Sequence, residues 1–377
     1  MDLLRDLMTF VVPFLLILTI LVFVHEMGHF LIARRNGVRV EVFSVGFGRE
    51  IFGWTDKAET RWKFSLIPLG GYVKMYGDAN AASQPSGDGA DMSPEERAVA
   101  FPFQSLGART AIVAAGPIAN FLFAIVLLAG LFATVGQPFT PPVVGDVVPE
   151  SAAEAAGIKA GDRIVRLDGE AIERFEDIQR IVRQKAEQPL TIDVERNGEV
   201  LTLTAVPTSS EITDSFGTKY KIGLLGIMRG EVEYARYGVV KAVWRAARET
   251  VSLSAGTLDA LGQIIVGSRS TKELGGPISI AQMSGTVAES GLVPVVWFMA
   301  VLSVNLGLIN LFPIPMLDGG HLLFYGIEAV RGRPLGERAQ EYGFRIGIAI
   351  VLSLMLFVTL NDLIQLEVFD FIRGLVT

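Results

Sequence analysis

Residues 7–29 read LMTFVVPFLLILTILVFVHEMGH, and this stretch decides how the rest of the chain can fold. No charge occurs at residues 7–24, and apolar character resumes after His29 as far as residue 33. A helix needs roughly 17–25 mostly apolar residues to cross a bilayer. The stretch is too long for the apolar core of a signal peptide and lacks a small-residue cleavage site. We therefore predict a membrane-spanning helix that carries a His-Glu pair in its second half.

The composition of the whole chain also favours a membrane protein. Of its 377 residues, 50% are hydrophobic and 19% are charged, whereas a soluble domain carries about a quarter charged residues. The net charge of −7 gives no indication of a nucleic-acid partner. The absence of cysteine excludes disulfides and thiolate metal ligands. A metal site must therefore use His, Asp or Glu, and the chain has only 3 histidines.

Three further apolar segments complete a predicted set of four membrane helices. Loops rich in Lys and Arg follow the first helix and precede the fourth, and such loops stay in the cytoplasm. The termini and the long region before the third helix would then lie outside. The predicted divisions are a first transmembrane helix at 1–35, a membrane-associated β segment at 36–78, a cytoplasmic linker at 79–107, a second transmembrane helix at 108–136, an inserted domain at 141–228, amphipathic or juxtamembrane helices at 229–290, a third transmembrane helix with an Asp ligand at 291–320, and a fourth transmembrane helix at 343–362.

Residues 141–228 are predicted to form a small α+β domain. Asp168-Gly169 and Asn197-Gly198 are dipeptides typical of tight turns between strands. The segment AAGIKAGDRI at residues 155–164 resembles PDZ domains of bacterial proteases. That resemblance implies binding of an extended peptide or a chain end beside a sheet edge. A spacer domain without a ligand is the alternative.

His25-Glu26-Met27-Gly28-His29 is an H-E-x-x-H motif. Residues four apart share one face of a helix, so both imidazoles can hold one Zn²⁺ while Glu26 acts on the attacking water as a general base. An ionisable residue in a membrane core costs a few kcal/mol, and metal coordination compensates for that cost. The alternative is an interfacial helix that carries the motif by chance.

A catalytic zinc usually has three protein ligands, and Asp318 is the best candidate for the third. It follows the charge-free residues 291–317, where Pro313 and Pro315 should break the helix. Broken backbone at membrane depth is tolerated where it is buried in protein or lines a wet cavity. The alternative is an Asp at a helix end near the cytoplasmic surface. His321 could ligate by type, but a hydrogen-bonded or interfacial histidine is commoner, and we leave it out of the predicted site.

The sequence resembles bacterial site-2 proteases of the RseP type, which are intramembrane zinc metalloproteases of the M50 family. The resemblance rests on VHEMGH at 24–29, PLGGYVKM at 68–75, GPIAN at 116–120, SVNLG at 303–307 and NLFPIPMLDGGH at 310–321. It implies a polytopic α-helical membrane protein with four transmembrane helices, a membrane-associated β-rich segment and an inserted α+β PDZ-like domain. The implied roles are zinc ligation by His25, His29 and Asp318, catalysis by Glu26, and substrate binding by Asn120 and Asn310.

The resemblance also implies a function. Such proteases hydrolyse peptide bonds within transmembrane segments of single-pass membrane proteins, such as anti-sigma factors or signal-peptide remnants, in regulated intramembrane proteolysis during stress responses. The expected location is the bacterial inner membrane, with the termini and the PDZ-like domain in the periplasm and the active site toward the cytoplasm. The best-known members carry two tandem PDZ domains and this chain has one, which puts the details of size exclusion in doubt. A non-catalytic peptide-binding membrane adaptor and a metal transporter are the alternatives.

The segment after the first helix suggests how a substrate helix is opened. Residues 38–42 alternate Val with Arg39 and Glu41, a strand pattern, and residues 61–67 alternate less cleanly. Gly70-Gly71 marks a turn or a close approach of the backbone. We predict a membrane-associated sheet whose edge pairs with the substrate as an added strand.

Overall fold

The structure is a computed structural model that describes residues 7–78, 92–213, 219–271 and 274–365. A π-helical turn at Leu7–Val11 leads into the first helix, and a 3₁₀ turn at Phe101–Phe103 precedes the third. The helices are α1 (Val12–Arg35), α2 (Pro94–Val99), α3 (Leu106–Thr134), α4 (Ala152–Ala155), α5 (Phe175–Arg183), α6 (Val239–Ile265), α7 (Pro277–Glu289), α8 (Leu292–Asn310), α9 (Asp318–Arg331) and α10 (Glu337–Gln365).

The strands fall into one long pair near the start of the chain and a group of shorter ones in its middle. They are β1 (Val40–Thr55), β2 (Arg61–Met75), β3 (Gln137–Phe139), β4 (Val144–Val147), β5 (Arg163–Leu167), β6 (Glu170–Ala171), β7 (Leu190–Arg196), β8 (Glu199–Ala205), β9 (Thr208–Thr213), β10 (Lys219–Leu224), β11 (Ile227–Arg229) and β12 (Glu233–Ala235).

Four helices among the described residues are long and apolar enough to cross a membrane, as the sequence predicts. They are Met8–Arg35, Leu106–Thr134, Leu292–Asn310 and Arg338–Gln365.

The segment at 291–320, predicted as the third transmembrane helix with an Asp ligand, holds two helices. α8 ends at Asn310 and α9 begins at Asp318. Proline lacks a backbone N–H and clashes with the preceding turn, so Pro313 and Pro315 keep the chain between α8 and α9 out of helical structure. Asp318 is therefore the first residue of a new helix and not the last of a spanning one.

The segment predicted as a linker at 79–107 contains a short helix in its second half, while residues 79–91 lie outside the described part of the chain. Ser93 accepts a hydrogen bond from the Glu96 N–H at 3.2 Å, and the Glu96 carboxylate accepts one from the Ser93 N–H at 2.8 Å. This reciprocal capping box satisfies two N–H groups at a helix start. It begins α2 only a few residues before α3.

The chain divides into two compact units. The first consists of Met1–Gly130, Val243–Leu258 and Lys272–Thr377, and the second consists of Leu131–Ala242 and Asp259–Thr271.

In the first unit the β1–β2 pair packs on α1 through three aromatic rings. Phe43 of β1 stacks on Trp62 of β2 with ring centroids 4.5 Å apart. Phe30 of α1 meets both rings edge-on, at 5.5 Å from Phe43 and 5.1 Å from Trp62. Aromatic pairs prefer offset-stacked and edge-to-face arrangements of this kind. The cluster thereby holds the strands against the part of α1 that carries His25 and His29.

Both strands bend, so residues 42–45 of β1 have a neighbour on each side. They pair with residues 71–74 and also with residues 61–64 of β2. Pro68 and Gly70 lie between these two parts of β2, and Gly70 has a φ of +116°, which favours glycine. The predicted close approach at Gly71 is confirmed, since an added Cβ would lie 2.6 Å from the Ser44 carbonyl oxygen. The segment at residues 71–75 forms an edge of the sheet.

The second unit is built around the antiparallel sheet β6-β5-β7-β8. Helix α5 buries its apolar face, with Ile178, Ile181 and Val182, in the same core as the strands. The predicted turn at Asn197-Gly198 is confirmed by φ values of 53° and 85°, which a type I′ hairpin requires.

A buried ion pair ties the edge of this core together. Asp162 is 1% exposed, and it accepts hydrogen bonds from Arg196 Nε and Nη2 at 2.7 Å each. Burial alone would raise the pKa of Asp162, but the hydrogen bonds from Arg196 and from the Lys159 N–H hold that pKa below its usual value. The ionised carboxylate is therefore the form that the folded unit stabilises.

We expect Arg196→Met to lower the unfolding free energy of the second unit by about 2 kcal/mol at pH 7, because a buried carboxylate loses charge-assisted hydrogen bonds. Asp162 has a lower pKa folded than unfolded, so this contribution is complete above about pH 4 and is lost as the pH falls through the folded pKa. Hydrogen exchange of the β5 and β7 amides, at pH 7 and pH 3, measures both effects. The control is Arg180→Met, whose pair with Glu170 is about half exposed and should contribute less than about 1 kcal/mol. Equal effects of the two substitutions would contradict the account.

Candidate metal centre

Helix α1 presents two imidazoles side by side. His25 and His29 are each 8% exposed, and their Nε2 atoms lie 3.2 Å apart. Residues four apart stand one above the other on a helix face. Glu26 follows His25 and lines the cavity that opens beside the two imidazoles.

Asp318 reaches this pair from the first residue of α9. One carboxylate oxygen, Oδ2, lies 3.1 Å from His25 Nε2, and the other, Oδ1, lies 3.5 Å from His29 Nε2. The turn before Asp318 packs so closely on the next two residues that both must be glycine. An added Cβ on Gly319 would lie 2.2 Å from the Leu311 carbonyl oxygen, and one on Gly320 would lie 2.4 Å from the Ile314 carbonyl oxygen. The close packing of these two glycines fixes where the helix begins and hence where its first carboxylate points.

Helix α3 fixes the orientation of His29. Its Nδ1 donates a hydrogen bond to the Ile112 carbonyl oxygen at 2.9 Å. A neutral imidazole with its proton on Nδ1 presents a lone pair at Nε2. That lone pair is directed toward the Asp318 carboxylate.

Helix α3 also contacts His25, through Asn120. This side chain is fully buried at 0% exposure. Its Nδ2 lies 3.1 Å from His25 Nδ1, while its Oδ1 is buried with no hydrogen-bond partner among the described residues. Rotating the amide by 180° exchanges these two atoms and brings Oδ1 against the imidazole. His25 then donates from Nδ1 and presents the Nε2 lone pair, as metal-ligating histidines do.

These groups fit a zinc ion. The three ligand atoms lie within 4.8 Å of one another, and in the tautomers just described all of them are acceptors. Asp318 Oδ2 is buried and accepts no hydrogen bond within the described ranges. Acceptors that face one another repel unless a cation lies between them, and imidazole nitrogens with a carboxylate oxygen form a common catalytic zinc set.

A cavity of about 180 Å³ opens beside the three groups. It is large enough for several water molecules. Its lining consists of His25, Glu26, His29, Val73, Met75, Val113, Asn310, Met316, Leu317, Asp318 and His321.

The structure brings five of the six predicted site residues to the cavity and places the sixth behind His25. His25, Glu26, His29 and Asp318 surround the cavity. Asn310 also lines it, whereas Asn120 lies behind His25 and contacts the imidazole. The substrate-binding role of Asn120 stays a prediction.

Apart from Asn120, sequence reasoning missed the groups of α3 that hold the imidazoles from behind. The Ile112 carbonyl is a backbone group and leaves no trace in residue type. Gly116 is a clearer signal: an added Cβ would lie 2.3 Å from His29 Nε2 and 2.9 Å from His25 Cε1. A glycine before Pro117 inside a long apolar helix could have indicated this close approach.

Comparison with known proteins defines the class of this chain as a zinc metalloprotease. A protein of Agrobacterium fabrum, provisionally named a zinc metalloprotease, is 49% identical over 362 residues, which cover 95% of this chain and 96% of that protein. A protein of Rhizobium meliloti with the same provisional name is 49% identical over 96% of this chain and 99% of its own length. Metalloprotease MmpA of Caulobacter vibrioides is 38% identical over 97% of this chain and 98% of its own length.

The profile of peptidase family M50 matches residues 13–354. The chain therefore belongs to peptidase family M50, and it is a zinc metalloendopeptidase. Among solved structures, the PDZ domain of the SdrC-like protein from Listeria monocytogenes covers 24% of this chain and 87% of its own, with 20% identity and a TM-score of 0.19. That likeness is too slight to decide the fold of the second unit.

We expect Gly116→Ala to weaken zinc binding at least about tenfold, because the added methyl group displaces the His29 imidazole from its position against Ile112. Competition with a chelator of known affinity measures the change. Gly107→Ala on the same helix is the matched control, since an added Cβ there meets nothing within 4 Å. Unchanged zinc affinity in Gly116→Ala would contradict the described packing.

Proposed function

We propose that this M50 protease hydrolyses peptide bonds within the transmembrane segments of single-pass membrane proteins. The observation that carries the proposal is the position of the imidazole pair, on a helix that is long and apolar enough to cross a membrane. The third predicted ligand, Asp318, follows another such helix, α8. A catalytic centre among such helices acts on chains that themselves enter the bilayer.

In this proposal His25, His29 and Asp318 hold the zinc ion. The bound ion supplies Lewis-acid chemistry, polarising a water molecule and the carbonyl of the scissile bond. Glu26 accepts a proton from the attacking water at its carboxylate and returns it to the leaving amine nitrogen. The apolar surroundings keep bulk water away, which strengthens each of these electrostatic contacts.

Asn310 is proposed to bind the substrate. It is the last residue of α8, and it lines the cavity opposite the α1 groups. Its amide can donate a hydrogen bond to the scissile carbonyl oxygen, where negative charge develops during attack. Asn120 supports catalysis by holding His25.

The sheet edge at residues 71–75 is proposed to receive the substrate as an added strand. The Tyr76 N–H donates to the Arg39 carbonyl oxygen on the β1 side of this segment. Backbone N–H directions alternate along a strand, so those of Met75 and Val73 point away from β1, and the Val73 N–H donates to the Glu26 carboxylate. Both residues line the catalytic cavity. An extended substrate that pairs here loses its own helical hydrogen bonds and exposes a peptide bond beside Glu26.

The second unit is proposed to be a PDZ-like domain that binds an extended peptide or a chain end. A cavity of about 500 Å³ lies between α5 and residues 223–227, which run from the end of β10 to the start of β11. Phe175, Ile178 and Val182 supply an apolar floor, which suits an apolar terminal side chain. PDZ-type recognition adds main-chain hydrogen bonds at a sheet edge to such a pocket.

The proposed location is the bacterial inner membrane. The loops rich in Lys and Arg favour a cytoplasmic position for the β1–β2 segment, and the second unit and the termini are then periplasmic. Anti-sigma factors already shortened by another protease, or signal-peptide remnants, are the proposed substrates, which makes regulated intramembrane proteolysis in a stress response the proposed role.

We expect Glu26→Gln to keep its zinc and to cleave a transmembrane peptide about 10²–10⁴-fold more slowly, since a general base is lost without the loss of a ligand. The assay is cleavage in proteoliposomes together with metal analysis of the same preparation. His25→Ala is the comparison variant and should lose zinc and cleavage together. Cleavage by Glu26→Gln at the rate of the unaltered protein would contradict the assigned base.

We expect Met75→Pro to reduce cleavage at least about tenfold while zinc content stays unchanged, because proline removes the N–H that the substrate strand would use. Met75→Ala retains that N–H and separates the loss of the donor from the loss of the side chain. Ile51→Pro is the second control. Ile51 is 68% exposed and lies in β1 outside residues 42–45, the part of that strand that pairs with residues 71–74. Equal cleavage by Met75→Pro and Met75→Ala would remove the added-strand proposal.

A further inference from the structure

A buried ion pair joins α9 to the first turns of α3. Arg109 Nη1 donates to Glu328 Oε2 at 3.2 Å, and Arg109 Nη2 donates to Glu328 Oε1 at 2.6 Å. The two side chains are only 15% and 14% exposed. Paired hydrogen bonds of this kind fix orientation as well as distance.

Further contacts hold the guanidinium in place. Arg109 Nε donates to the Gln104 carbonyl oxygen at 3.2 Å. The guanidinium carbon lies 4.9 Å from the centroid of the Tyr325 ring, one turn before Glu328 on α9. Cation–π contacts strengthen when they are shielded from water. Arg109 is thus held rigidly on α3, and α9 contacts it through both Glu328 and Tyr325.

Helix α9 needs a fixed contact of this kind because it does not continue α8. The two helices are separated by seven residues that contain Pro313 and Pro315, and Met316 among them has a φ of +99°. Asp318 and Glu328 stand near opposite ends of α9, about 15 Å apart at the α-helical rise. A helix of this length is stiff, so its rotation at Glu328 sets its rotation at Asp318.

The same helix, α3, already orients both imidazoles. Ile112 accepts the hydrogen bond of His29, and Asn120 contacts His25. Arg109 lies less than one turn before Ile112. All three groups of the metal centre therefore have a partner on α3, directly for the histidines and through α9 for the aspartate.

We propose that Arg109 and Glu328 are positioning residues that set the Asp318 carboxylate against His25 and His29. This inference rests on the proposed zinc site. A buried ion pair is a weak source of stability, since apolar residues of similar volume often replace it without loss. Apolar residues would not fix the orientation of α9, whereas the bidentate pair fixes the rotation of α9 about its own axis.

The test compares zinc affinity with the stability of the metal-free protein. In the double variant Arg109→Met/Glu328→Leu, we expect the melting temperature of the metal-free chain to stay near that of the unaltered protein. Its zinc affinity, measured by chelator competition, should fall at least about tenfold, as for other residues that orient metal ligands. The visible absorption of the Co²⁺-loaded protein should change as well, because it reports the ligand geometry.

Two further variants separate geometry from charge and from general effects. Arg109→Lys keeps the charge but not the fork of donors, so it should also weaken zinc binding, and it replaces the double variant if the latter does not fold. Glu341→Gln breaks the Arg345–Glu341 pair on α10, whose side chains are 69% and 61% exposed, and should leave zinc affinity unchanged.

Zinc affinity within about twofold of the unaltered protein in both Arg109 variants would overturn the positioning role while leaving the proposed zinc site intact. Failure of the unaltered protein itself to bind zinc would instead overturn both the proposed function and this inference.

Discussion

Two imidazole nitrogens and a carboxylate face one another at close range, and in the tautomers that their surroundings favour none of them offers a proton to another. This cluster of acceptors is the constraint on which the rest of the first unit depends. A zinc ion satisfies it with ligands of ordinary type. The unusual packing nearby, with glycines pressed against backbone and imidazole atoms, brings the three groups close enough to share one ion.

The helix α3 holds this arrangement without supplying a predicted ligand. A carbonyl group and an amide on one face of α3 set the tautomers of His29 and His25. The Arg109–Glu328 pair extends the same support to the helix that begins at Asp318. The proposed metal centre is therefore built from the helix that carries the histidines, the helix that carries the aspartate, and a third that aligns the two. Groups that orient metal ligands commonly matter nearly as much as the ligands themselves.

The parts of the fold and of this site that could be predicted are those with a local signature. The period of the α-helix places His25 beside His29, the prolines before Asp318 end a helix, and Asn197-Gly198 specifies its turn. The contacts of α3 have no such signature. Arg109 and Glu328 are separated by 219 positions, and the partner of His29 is a backbone carbonyl, which every residue type provides. The bends that give residues 42–45 two neighbours depend on the packing of the strands against α1 and not on the alternation of side chains.

The central claim is that one zinc ion, held by His25, His29 and Asp318, is required for hydrolysis of a peptide bond within the membrane. Cleavage of a transmembrane peptide by the chelated protein in proteoliposomes, titrated with Zn²⁺, tests it most directly. The account predicts no cleavage without metal and recovery that is complete at one zinc per chain. Undiminished cleavage by the metal-free protein would contradict it.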